Sequence, residues 1–441
     1  MQDVLHRLVP LAALLCSVAA CGGRTQAVRV AVAPARPAVG QDVAPGTDLQ
    51  AAIDAAAPGA VLRLLPGDHR GPVRIGKPLH VWGPADAVLR GSEGSTVRVQ
   101  ADGVTLRGFT IAGSGQRFDL MDGGVWLQGN DLVLEGVTVK QSLFGVLVER
   151  CQRATVRGNT VIGTGLPAMG LRGDGIRLWE TTDSLVMDNV VTDSRDVVVW
   201  YSSRNRLANN SVLRSRYGTH FMYSHENVVE DSRYVGDEVG VFVMYSHDIV
   251  LRRNVLAQAG GAAGLGLGLK EAGNITAEDN WFLANTVGIY VDNSPLDPAH
   301  SNRYVRNVVR FAETAVSLHS SCKRSEFADN QFRDNGAVVK VGGQGDALGC
   351  TFAGNYYDTY QGYDFDGDGR GDVPFEFRRL STQLEGRYPE LALLHGAPVM
   401  GMLDVVGEVM PLFAPRRLMR DETPRLRAPA MCWQPGACRA D

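Results

Sequence analysis

Few aromatic residues, no surplus of either charge and no long apolar run beyond the first twenty residues set the limits of this chain. Phe, Trp and Tyr make up 7% of its 441 residues, and the formal net charge is −4. That balance supplies no basic stripe for nucleic acid. No two cysteines stand in CxxC spacing, which removes the commonest zinc and dithiol motifs. A nucleophile elbow, a phosphate-binding loop and a zinc-binding helix are also missing. Glycine is plentiful at 51 residues, and that composition suits a turn-rich β architecture.

The first twenty residues read as an export signal. His6 and Arg7 precede an apolar run from Leu8 to Ala20 that is too short to span a bilayer. Ser17-Val18-Ala19-Ala20-Cys21-Gly22 resembles a bacterial lipobox, in which Cys21 becomes the lipidated N-terminus of a periplasmic, membrane-anchored protein. The alternative is an ordinary signal peptide cleaved near Ala20. Of the other cysteines, Cys432 and Cys438 are the pair expected to form a disulfide in an oxidising compartment.

A fixed internal period supplies the fold. Tyr201-Ser202, Tyr223-Ser224 and Tyr245-Ser246 recur at intervals of 22, and Met222-Tyr223-Ser224-His225 returns as Met244-Tyr245-Ser246-His247. Such a period marks a solenoid, whose stacked coils bury a core that no single coil could. One column reads Glu149, Trp179, Trp200, Met222, Met244, Lys270 and Asp292; another reads Asn159, Asn189, Asn210, Ser232, Asn254 and Asn280. Asn stacked at a sharp turn tolerates left-handed backbone angles and bonds the next amide.

Strand alternation separates the faces. Columns through Val197, Thr219 and Val241 and through Val199, Phe221 and Val243 are apolar and point to the core. The column Leu147, Arg177, Val198, His220, Phe242, Gly268, Tyr290 is mixed and points outward, as does the column of Met222 and Met244. A second and a third strand run through Leu207, Val229, Leu251 and through Val212, Tyr234, Leu256. The expected fold is all-β: a right-handed, single-stranded parallel β-helix with three short strands in each coil of about 22 residues.

Its expected boundaries are a signal over 1–21, an aperiodic tether over 22–45 and the β-helix over 46–377. Leu49–Ala57, with Asp48 as N-cap and Pro58-Gly59 as stop, reads as a helix closing the lower end. Residues 378–429 form an apolar, Met-rich, α-helical or irregular docking segment, and 430–441 a Cys-containing tail.

Three constellations carry chemistry. His220, Met222 and Met244, with His225 and His247 at equivalent turn positions, combine imidazole and thioether, the ligand set that suits Cu(I). The plainer alternative is a protein-contact surface, which Tyr223 and Tyr245 would also serve. Asp364, Asp366, Asp368 and Asp372, interleaved with glycines over 364–372, match the start of a calcium loop, although Phe375 stands where an EF-hand has Glu. A Gly-rich acidic turn without an ion is the alternative. The third is the apolar stretch from Tyr388 to Arg420, which either packs back on the solenoid or docks to a membrane partner.

These strings together resemble the NosD family over most of the chain, from about Leu49 to Pro429. Carrying the likeness are Arg172-Gly173-Asp174-Gly175-Ile176-Arg177-Leu178-Trp179, Gly218-Thr219-His220-Phe221-Met222-Tyr223-Ser224, Gly264-Leu265-Gly266-Leu267-Gly268-Leu269-Lys270, and Asn355-Tyr356-Tyr357 running on to Gly371-Asp372-Val373-Pro374. The resemblance implies a periplasmic metallochaperone without catalysis of its own. It would work with an ABC-type permease and ATPase, a copper chaperone lipoprotein and nitrous-oxide reductase, whose copper–sulfur cluster it helps to build in denitrification. It also tips the apolar segment toward docking on the permease. The lipobox departs from the family, which usually carries a plain secretory signal. The competing reading is a carbohydrate-active β-helix, a uronate epimerase or polysaccharide lyase. Asp297-Pro298-Ala299-His300 resembles the epimerase DPH signature but is interrupted by Ala299.

Overall fold

The computed structural model describes residues 34–429 apart from 262, 395 and 396; Cys21, Cys432 and Cys438 lie outside the described residues. From Gln41 the chain winds into a right-handed parallel β-solenoid of about 14 turns. Its strands form three sheets of sixteen, twelve and thirteen members, parallel but for one antiparallel pair at the end of the first. Short β-branched strands, each followed by a tight corner, leave no room for helices between them. The sequence columns are structural columns: Trp179, Trp200, Met222, Met244 and Lys270 are successive partners across the twelve-stranded sheet.

The corners explain the polar columns. Asn159 donates through Nδ2 to Asn189 Oδ1, Asn189 to Asn210, Asn254 to Asn280, Asn280 to Asn307, and Asn307 to Asn330, each at 3.0 Å. All of these amides are buried, so each rung satisfies polar atoms that the core would otherwise leave unpaired. At the exposed corners, non-glycine residues hold φ near +55°, among them Asp131, Arg153, Asp183 and Arg204. Their opposite charges pair from coil to coil, Arg153 with Asp131 at 2.7 Å and Arg204 with Asp183 at 2.8 Å. One stack does require glycine: a Cβ on Gly218 would lie 2.4 Å from Gly240 O, and one on Gly240 2.7 Å from Gly266 O.

The lower end is closed as expected. Helix α1 (Leu49–Ala55) takes Asp48 as its cap, which accepts from Ala51 N–H, and buries Leu49 and Ile53. The segment read as tether, however, contributes Gln41–Val43 to the first coil, paired with Leu62–Leu64. Three residues are too few to show a period. At the other end, helices α2 (Leu380–Arg387) and α3 (Pro398–Val409) fold against each other. The chain then returns as the strand Met419–Asp421, antiparallel to Phe375–Phe377. The β pattern therefore resumes after residue 378, through a single short strand that periodicity does not reveal.

Candidate metal centre

His220 and Met222 lie two apart on the strand Tyr217–Met222, and Met244 ends the neighbouring strand as the partner of Met222. His220 Nε2 is 3.4 Å from Met244 Sδ. His220 points outward, as expected, yet is only 4% exposed. Trp200, Tyr217 and Phe242 enclose it, with ring centroids 5.4, 4.8 and 6.2 Å away. Alternation sets direction, but the bulk of same-face neighbours sets burial.

Burial pushes the His220 imidazole down to about 4, and the Arg216 cation adds to the effect. The neutral ring that results is the form that binds metal. Trp200 Nε1–H donates to His220 Nδ1 at 3.3 Å, which places the ring proton on Nε2, facing the thioether. A cation between Nε2 and Sδ would displace that proton to Nδ1 and cost the Trp200 bond, which is long for its type. His220 and Met244, with Met222 beside Met244 on the adjoining strand, would be the residues to hold a soft cation. One imidazole and two thioethers fit Cu(I) and suit no hard cation.

Reading the columns did not single out the ionic layer beside this site. Asp174, buried, pairs with Arg177 at 3.1 Å and Arg195 at 2.9 Å. Asp196, also buried, accepts from Arg216 Nε at 3.0 Å. Arg177 lies between the Trp179 and Trp200 rings, 4.7 and 4.8 Å from their centroids. These carboxylates are engaged by guanidinium groups, so neither stands ready as a base or a hard-ion ligand. The available signal was that Trp179 and Trp200 share the column of Met222 and Met244.

His225 and His247 stack at the corner, centroids 3.7 Å apart. The His247 backbone N–H donates to His225 Nδ1 at 3.1 Å, and His247 Nδ1 lies 2.6 Å from Asp248 Oδ2. Each ring is thus engaged at Nδ1, His225 by the His247 backbone and His247 by Asp248. His300 joins at 5.3 Å from His247. The two histidines thus form a pair of their own at the corner, apart from the His220–Met244 contact.

In the acidic loop, Asp364, Asp366 and Asp372 bring carboxylate oxygens within 4.8 Å of one another. Asp368 is not part of that group; its Oδ1 accepts from Arg370 N–H at 2.7 Å. On α3, Met400 and Gly407 are buried, while Met402, Val405 and Val409 form an exposed apolar stripe that continues to Leu412. No helix among the described residues is long and apolar enough to cross a membrane.

Comparison with known proteins bears on the copper reading. A family model described as periplasmic copper-binding protein (NosD) matches residues 162–362, the span that holds His220, Met222, His225, Met244 and His247. A probable ABC transporter binding protein NosD of Pseudomonas aeruginosa is 26% identical over 389 residues, covering 83% of this chain and 88% of the relative. The chain is similar to NosD proteins over most of its length. A second NosD, from Stutzerimonas stutzeri, is 26% identical over 137 residues, 30% of this chain and 31% of that protein. Solved structures share the solenoid fold. The A-module of the Azotobacter vinelandii mannuronan C-5 epimerase AlgE6 matches with a TM-score of 0.53 at 16% identity, over 71% of this chain and 94% of that one. The catalytic unit of a Streptomyces thermodiastaticus α-1,3-glucanase matches at 0.51 and 14%, over 76% and 71%. At such identities the likeness concerns the fold alone.

Proposed function

We propose that this chain handles Cu(I) in the periplasm as the partner of an ABC-type permease and ATPase, and that its copper serves assembly of the copper–sulfur cluster of nitrous-oxide reductase. The observation that supports copper is the His220–Met244 contact beside Met222. Copper here is cargo: soft donors bind it without a closed cage, and a buried neutral imidazole keeps the site competent as pH varies. A copper chaperone lipoprotein is the proposed donor. His225 and His247 would act as a secondary stop at the corner, and the stripe on α3 would dock on the permease. Lipid on Cys21 would add a membrane tether, and Cys432 with Cys438 a disulfide in the tail. Calcium, held by Asp364, Asp366 and Asp372, would be structural.

On this reading the chain binds and passes an ion and does not catalyse. The alternative, a uronate epimerase or polysaccharide lyase, has the fold in its favour. Against it, the Glu149 carboxylate in the cleft of about 250 Å³ that Arg177 and Trp179 also line is already engaged, accepting from Trp126 Nε1–H and Gln128 Nε2–H. The deciding experiment is an anaerobic Cu(I) competition titration comparing the parent with His220→Ala/Met222→Ala/Met244→Ala. Tight binding lost in the triple variant supports the site. Equal binding in both moves copper elsewhere, and none in either ends the copper reading. Copper content of nitrous-oxide reductase in a strain lacking this chain tests the maturation role.

A further inference from the structure

Several coils beyond the methionine ladder, the solenoid holds a pair of thiols. Cys322 immediately precedes the strand Lys323–Ala328, and Cys350 lies in Gly349–Ala353, its parallel partner on the next coil. Lys323 pairs with Gly349 and the register then shifts before Glu326, which sets Cys322 and Cys350 beside each other on adjacent coils. Both residues are free cysteines, 6% and 8% exposed.

Their surroundings are unequal. Cys322 Sγ lies 3.3 Å from Ser325 Oγ and 3.7 Å from Ser294 O. Cys322 also lines an open cleft of about 170 Å³ with Ser320, Ser321, Lys323 and Arg324, and Cys350 does not. The neighbouring thiol draws the Cys322 pKa down and holds that of Cys350 up. A thiolate is the nucleophile in exchange, and the sulfur with access meets the oxidant first.

We propose that Cys322 and Cys350 are a redox-active dithiol that closes to a disulfide between adjacent coils, Cys322 attacking from the cleft and Cys350 resolving. The oxidant is an incoming disulfide. Cys322 thiolate attacks one of its sulfurs, forming a mixed disulfide and releasing the first thiol. Cys350 then gives up its proton and attacks the Cys322 sulfur, releasing the second thiol. Two thiols of this chain are oxidised and one disulfide is reduced to two thiols. Export to an oxidising compartment makes such an oxidant available.

The position gives the bond a consequence. Gly343 N–H donates to Gly386 O at 2.7 Å, and Ala347 N–H to Leu418 O at 2.8 Å. The segment that leads into Cys350 thus carries the C-terminal helices, and closure ties it to the coil below.

The test starts from the purified full chain, reduced and then exposed to oxidised glutathione. Alkylation and digestion without reductant should yield a cross-linked peptide containing Cys322 and Cys350. Folded Cys350→Ser, checked by circular dichroism, should retain glutathione on Cys322, and folded Cys322→Ser should take up none at Cys350. Independent alkylation of both cysteines in the oxidised parent overturns the proposal, and that readout needs no variant. Glutathione on Cys350 in Cys322→Ser overturns the assigned order of attack.

Discussion

Asn355 Nδ2 donates to the Asp421 carboxylate at 2.8 Å, so the last rung of the Asn ladder is an acid supplied by the C-terminal return strand. The same buried carboxylate accepts from Gly354 N–H, Asn355 N–H and Tyr357 O–H. Asp421→Ala leaves these donors without an acceptor. We expect it to cost about 3 kcal/mol, and Asp421→Asn roughly 1 kcal/mol, in urea unfolding. Limited proteolysis of Asp421→Ala should cut within 378–429 before the solenoid yields. Parent-like stability and cleavage would show that the ladder needs no terminator.

Stability should depend on pH through His220. Its folded pKa is depressed to about 4, below the ordinary value of about 6.5. The unfolded chain therefore binds more protons between those values. The His220 contribution is complete above about pH 6.5, declines as pH falls, and is gone near pH 4, with a span of about 3 kcal/mol. His220→Phe should flatten that part of a melting-temperature profile. An unchanged profile would mean that the ring protonates without penalty.

Copper affinity should separate the two imidazole sets. Met244→Leu preserves volume and removes the thioether, so it should weaken Cu(I) binding at least tenfold while shifting stability by less than about 1.5 kcal/mol. His225→Ala/His247→Ala should leave the tight phase in place. Competition titration with a Cu(I) chelator reads both, and the reverse order would move the main site to the corner.

The stripe on α3 should matter to a partner and not to the fold. Met402→Asp/Val405→Asp places charge on exposed positions, where stability shifts are usually within about 0.5 kcal/mol. Co-purification with the permease–ATPase complex is expected to fail while circular dichroism and melting stay at parent values. Retained assembly would assign the stripe no docking role.

Calcium is expected to raise the melting temperature. At about a hundred times its dissociation constant a ligand bound only by the folded state adds about 2.7 kcal/mol. Asp364→Asn should remove the increment, and Asp368→Asn should reduce it least, since Asp368 stands outside the carboxylate group. A melting point indifferent to calcium and chelator would identify the loop as an ion-free turn.

The solenoid was legible because its period is written in side chains that each coil repeats. Asn210, Val241 and Tyr245 each announce the role of their whole column. What the columns could not show was whatever depends on residues off the column. His220 was rightly directed outward, but its burial comes from Tyr217 and Phe242, whose bulk no alternation rule weighs. The Trp200 hydrogen bond depends on a ring orientation. The strand Met419–Asp421 occurs once and pairs with a segment more than forty residues away, so it had no period to betray it. Asp368 fits a motif by spacing, yet turns toward the Arg370 backbone.

Because register is kept coil by coil, the solenoid also acts as a ruler. Five rungs separate His220 from Lys340, through Phe242, Gly268, Tyr290 and Ser317. Lys340 Nζ reaches Glu385 on α2 at 3.2 Å. At ~4.8 Å per rung His220 stands ~24 Å from Lys340 and the C-terminal helix it meets. That reach can change only in whole steps, since removing part of a coil would turn core positions to solvent. Insertions and deletions between the two places should therefore come as complete coils, and a delivery complex built around this chain would be tuned by counting rungs.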